Sequence, residues 1–166
     1  MKHLLFSLLL LFATVSVSHA QKFGHVNFGN LLSEMPEVKA SETELEAFNQ
    51  QLIKQGEKMV EDLKAAVAKA EANSLNTTPK ELEQIKQRLQ QDQAAIQQFE
   101  REMVVKIEQK RQELLGPIIK KAREAIDAVA KENGYQMVFD SSLFNSLLFT
   151  EDSSDMMALV KAKLGI

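Results

Sequence analysis

From about Lys39 to about Arg111 the apolar residues recur every three or four positions, separated by Glu, Lys, Gln and Ala. That spacing predicts helix, and one polar interruption at 73–78 divides it in two. The first helix runs from near Lys39 to near Asn73. Its seam reads Leu45, Phe48, Leu52, Met59, Leu63, Val67 and Ala70, with a gap at Gln55-Gly56. The second opens on Thr78-Pro79-Lys80-Glu81, which has the residues of a capping box: Thr at N-cap, Pro at N1, Glu at N3. Its seam reads Leu82, Ile85, Leu89, Ile96, Phe99, Met103 and Ile107, with Asp92 interrupting it. Both stripes are narrow, as in a coiled coil rather than a globular helix. Helical spacing continues through Leu114, Ile118, Ala122, Ile126 and Val129 and stops at Asn133-Gly134, a helix-ending pair.

Folding the chain back about Asn76 makes these helices antiparallel and brings residue 39 opposite about residue 113. Pro36 then faces Gly116-Pro117, and these three residues mark an arm-root hinge where the second helix is expected to kink. With about 36 residues per helix, the free arm spans roughly 50–55 Å. Such an arm is a reach device and not a core. Its seam is underfilled, since Gln55, Gly56 and Asp92 stand where apolar knobs belong. One reading is a plain solvated coiled coil. The other leaves some of the apolar residues partly exposed for a partner, with candidates Phe48, Met59, Leu63, Leu89, Phe99 and Met103. Flexible, Met-containing apolar surface suits a binder of varied partners.

The flanks read differently. Lys22–Gly29 alternates as a strand, with Phe23, His25 and Asn27 on one face and Val26 and Phe28 on the other. Asn30 is the expected cap of a short turn, Leu31–Met35, that Pro36 ends. Tyr135–Asp140 reads as a strand. Ser141-Ser142 then turns into a second strand, Leu143–Phe149, to make a hairpin. An acidic cluster at 151–155 opens a last helix, Met156–Leu164. The fold class is α+β: a long antiparallel helical hairpin, 39–111, on a small β body built from 21–38 and 112–166. So small a sheet is marginal alone. Phe23, Val26, Phe28, Val138, Phe139, Phe144, Leu147 and Phe149 exceed what one body hides, so several subunits are expected to share a barrel-like core.

Met1–Ala20 has the form of a secretory signal. It has a basic start at Lys2, an apolar run from Leu4 to Val17, and small residues at Ser18 and Ala20. Cleavage is expected after Ala20, and no Cys follows to carry a lipid. No later stretch reaches about 18 apolar residues, so the mature chain is expected to be soluble outside the cytoplasm.

Composition narrows the chemistry. The chain has no Cys, which removes thiol catalysis, thiolate metal sites and disulfides. Cleavage would leave His25 as the single His, too few for a typical metal site or nucleophile–base pair. No phosphate-cradling Gly-rich loop occurs, so no nucleotide is expected. The formal charge of −3 gives no reason to expect nucleic acid. Neither enzymatic activity nor a cofactor is expected.

The order of these pieces resembles the Skp/OmpH family of periplasmic chaperones across the whole mature chain. The carrying motifs are His25-Val26-Asn27-Phe28-Gly29, Val138-Phe139-Asp140 and the helix from Asp155 to Leu164, set around a helical hairpin. The resemblance implies a periplasmic homotrimer with a β-barrel body from three subunits and three arms around a cavity. It also implies ATP-independent holding of unfolded outer-membrane β-barrel proteins. The best-known members are strongly basic, whereas here the first arm helix (39–75) carries five Lys against seven Asp/Glu and the second (79–116) seven of each sign. Lipopolysaccharide binding is therefore not carried over, and capture is expected to rest on apolar contact and enclosure, with low salt sensitivity. Two other classes stand beside the holdase: a structural or tethering protein of the envelope, and a lipid or polysaccharide binder. Full burial of seam residues such as Phe48 and Phe99 between the helices, together with an inner arm face that is only charged, would weigh against the holdase.

Overall fold

The computed structural model describes residues 21–144 and 146–166. The signal segment expected at 1–20 lies outside them. In chain order the elements are strand β1 (Lys22–Val26), helix α1 (Phe28–Glu34), helix α2 (Pro36–Ala72), a 3-10 turn (Ser74–Asn76), helix α3 (Pro79–Glu132), strand β2 (Tyr135–Asp140), a 3-10 turn (Asp152–Ser154) and helix α4 (Met157–Leu164).

Local chemistry explains the boundaries. Thr78 and Glu81 form the full capping box, with Thr78 N–H donating to Glu81 Oε2 at 2.9 Å and Glu81 N–H donating to Thr78 Oγ1 at 3.4 Å. Helix α3 stops at Glu132, and Gly134 follows at φ 70°, a left-handed position that Gly adopts at little cost. Helix α1 starts three residues before the turn expected at Leu31, and Asn30 is not its cap. The cap is Asn27, whose side-chain oxygen accepts from the Asn30 N–H at 2.9 Å, so the helix begins at Phe28.

The two strands pair in parallel, His25 with Phe139 and Val26 with Asp140. Parallel neighbours need a crossover, and here the crossover contains the arm: α1, α2 and α3 all lie between β1 and β2. The hairpin expected from Tyr135–Asp140 and Leu143–Phe149 is not formed. The described residues of the second stretch make turns, with Ser146 N–H donating to Leu143 O at 3.1 Å and Ser146 Oγ–H to Asp140 O at 2.9 Å. These bonds bend the chain away before it can lie beside β2.

The core lies where the root of the arm meets the sheet. Val26, Leu31, Met35 and Val38 pack with Ile118, Ala122, Ala125 and Val129 of α3 and with Met156 and Val160 at the C-terminal end. Met156 N–H donates to His25 O at 2.9 Å and ties that end to the free edge of β1. The long shaft of the arm adds only Ser41, Leu52 and Phe99 to the buried residues.

Candidate functional site

The arm is built by α2 and by α3 up to its root. Glu44 meets Lys110 at 2.7 Å, and Phe99 meets Gly56. Both contacts fall within one helical turn of the register expected from folding about Asn76. Lys121 pairs with Glu37 near the root. The hydrogen bond from Lys121 holds the Glu37 carboxyl below its ordinary range, and the bond to Glu44 raises Lys110. At the hinge residues Pro36 starts α2, while α3 runs uninterrupted through Gly116 and Pro117, both exposed. Pro117 has no N–H to donate, so one rung of the helix ladder is missing there.

The gap at Gln55-Gly56 is a socket. The Phe99 ring lies against Gly56, and Phe99 is 7% exposed. Of the six apolar candidates on the arm, Phe99 is thus corrected from a partly exposed residue to a buried one. Phe48, Met59, Leu63, Leu89 and Met103 are half-buried. Between the helices run two apolar grooves. One, of about 520 Å³, is bordered by Ile53, Gly56, Val60, Ile96, Phe99 and Met103. The other, nearer the tip, is bordered by Leu63, Val67, Leu82, Ile85 and Leu89. On each helix their lining residues follow steps of three and four, so the two grooves continue along one side of the arm. Phe48 and Met59 line neither.

Ile53 and Val60 are groove residues that the seam reading passed over. They stand seven apart, and the seam residue Val67 lies seven beyond Val60, so a seven-residue spacing joining them to the seam was present in the sequence. Val104 and Val105 are exposed on α3 and belong to neither groove.

In the body the eight candidate residues divide. Val26 is in the core, with Phe28 and Val138 packed against it. The Phe28 ring also lies 5.9 Å from the Arg123 guanidinium. Phe23, Phe139, Leu147 and Phe149 border a cavity on the other face of the sheet, together with His25. Neither ring nitrogen of His25 has a hydrogen-bond partner among the described residues. Phe144 and Phe149 are 95% and 84% exposed. The outer sheet face is therefore apolar and open in a single chain.

One carboxylate joins the sheet to the helices. Burial raises the Asp140 pKa, but the hydrogen bonds it accepts outweigh this and the net shift is downward. Its Oδ1 accepts from Ser142 Oγ–H at 2.6 Å, Ser142 N–H at 2.8 Å and Phe28 N–H at 3.3 Å. Among the described residues no group of three or more His, Cys, Asp or Glu is placed to hold a metal. No helix among them is long and apolar enough to cross a membrane.

Comparison with known proteins agrees with this architecture. No curated protein sequence matches the chain. Among solved structures, an OmpH-like protein of Caulobacter crescentus CB15, described as a proposed outer membrane chaperone, superposes with a TM-score of 0.74 at 16% identity. The match covers 87% of this chain and 84% of the other, which establishes a shared fold. The family model of the outer membrane protein (OmpH-like) group matches residues 22–164. The chain belongs to the OmpH-like family of outer membrane proteins.

Proposed function

We propose that this protein is an ATP-independent holdase of the periplasm that keeps unfolded outer-membrane β-barrel proteins from aggregating. The observation that carries this reading is the pair of apolar grooves along one side of the arm. A coiled coil acting only as a spacer has no need to leave Val60 and Leu82 open to solvent beside half-buried Ile53, Leu63 and Leu89. The burial of Phe99 removes one candidate contact but leaves its neighbours at the groove. Capture there is mainly apolar and asks for no cofactor. The outer sheet face, with Phe23, Phe139, Leu147 and Phe149, and the exposed Phe144 support assembly with further copies into a homotrimer whose arms surround the client.

The test is aggregation of an unfolded β-barrel protein diluted from denaturant, followed by light scattering with the purified mature protein and no ATP. Suppression at stoichiometric protein is expected. Unchanged scattering at that ratio refutes the holdase reading.

A further inference from the structure

The grooves of the arm are apolar in their floor and acidic at their rim. Glu57, Glu61 and Glu100 border the one near Phe99, against a single Lys64. Glu71 and Glu83 border the one near the tip, against a single Lys86. Together that is five carboxylates against two ammonium groups, a rim charge of −3. None of these five carboxylates is in an ion pair among the described residues. Elsewhere on the arm Asp62 pairs with Lys58, Glu102 with Lys106, Glu44 with Lys110 and Glu108 with Arg111, whereas Glu42, Glu46, Glu81 and Asp92 are in no ion pair among the described residues. Five of the arm's nine carboxylates outside ion pairs thus border the apolar floor.

We infer that this side of the arm prefers polypeptide segments in which apolar residues alternate or cluster with Lys and Arg, and disfavours segments rich in Asp and Glu. The inference rests on the holdase reading and names the kind of client segment that the groove fits. Apolar side chains of the client cover Ile53, Val60, Ile96 and Met103, while its cationic groups stay at the solvated rim and meet Glu57, Glu61 and Glu100. Long Lys and Arg side chains suit this arrangement, because their methylene stems add apolar contact while the head group reaches the carboxylates. Exposed ion pairs are individually weak, so the rim biases choice and the floor supplies most of the grip.

Three short fluorescent peptides with the same apolar residues, flanked by Lys, Glu or Gln, decide the matter by anisotropy with the full mature protein. At low salt the Lys-flanked peptide is expected to bind roughly threefold to tenfold more tightly than the Glu-flanked one. At about 1 M salt, where the screening length falls to about 3 Å, the ratio is expected to approach one while the Gln-flanked peptide still binds. The triple variant Glu57→Gln, Glu61→Gln, Glu100→Gln is expected to reduce the preference and leave the affinity for the Gln-flanked peptide unchanged. Equal binding of the Lys and Glu peptides, a preference for Glu, or a preference that the triple variant leaves intact overturns the inference. Failure of all three peptides to bind overturns it too. If aggregation is still suppressed in that case, the holdase reading stands and the groove is not its client site.

Discussion

Phe99 closes over Gly56: a Cβ added at position 56 would lie 3.3 Å from Phe99 Cε1. A glycine in a helix interior costs roughly 1 kcal/mol relative to alanine, and the socket for the ring offsets that cost. The contact is tight, but the ring borders the open groove and has room to shift by a few tenths of an ångström. Gly56→Ala is therefore expected to leave stability unchanged or raise it by up to about 1 kcal/mol. Gly56→Leu fills the socket, displaces Phe99 and is expected to destabilise the arm by about 1–3 kcal/mol. Thermal unfolding followed by circular dichroism at 222 nm checks both. A large loss in the alanine variant would show that the ring cannot yield.

The tip depends on one side chain. Thr78 supplies the acceptor for the Glu81 N–H, and Glu81 returns its carboxylate to Thr78. Hydrogen bonding to Thr78 lowers the Glu81 pKa. Thr78→Ala removes the cap, a change of about 0.5–2 kcal/mol in helix stability. Because the tip is remote from the core, the effect is expected to stay local. Hydrogen exchange should show faster exchange of amides 80–83, with those of Ala122–Val129 unchanged. Uniform acceleration along the chain would mean that the arm and body unfold as one unit.

The arm was legible in the sequence because its signals are local. Seam periodicity, Thr78-Pro79 and Asn133-Gly134 each act within a few residues, and the helices end where those residues put them. The socket at Gly56 looked like a defect, because its filling comes from Phe99 on the other helix. The sheet was harder still. Tyr135–Asp140 pairs with a strand more than a hundred residues earlier, in parallel, and β-propensity carries no information on partner or direction. Leu143–Phe149 has strand-like composition, but Ser146 bonds back to Leu143 and Asp140, and composition alone does not exclude that turn. For the groove, the seven-residue spacing of Ile53, Val60 and Val67 was visible, whereas which side stays open follows from how the helices roll on each other.

Asp140 couples the end of β2 to the start of α1 through the Phe28 N–H. Asp140→Ala removes the acceptor for three donors and is expected to cost about 1–3 kcal/mol. The pH dependence has a definite sign. The folded pKa lies below the ordinary value of about 3.9. The contribution of the charged form is then full above that value and is lost as pH falls through the lower, folded one. Denaturant unfolding of the native and variant proteins should differ by a constant amount from pH 7 down to about pH 5. The gap should narrow steadily below about pH 4. A gap that instead widens on acidification would mean that the carboxyl is held protonated in the folded state.

Phe139 and Phe23 distinguish an open sheet face from an interface. Both are substantially exposed in the single chain, and neither is among the residues packed in the core. If the face met only water, Phe139→Asp would change stability by no more than about 0.5 kcal/mol and would not change the molecular mass in solution. If copies of the chain close over it, the same substitution buries a carboxylate against apolar neighbours, a cost of several kcal/mol with no partner to offset it. The trimer proposed above predicts the second outcome. Light scattering coupled to size exclusion should give three chain masses for the native protein and a smaller species for Phe139→Asp, with helix content retained because the core residues around Ala122 and Val129 are untouched. The arm alone should be unaffected, so the monomeric variant should still bind the Lys-flanked peptide while losing whatever part of aggregation suppression depends on enclosure by three arms. A native protein that elutes as one chain, or a variant that remains trimeric, rules out this face as the assembly surface.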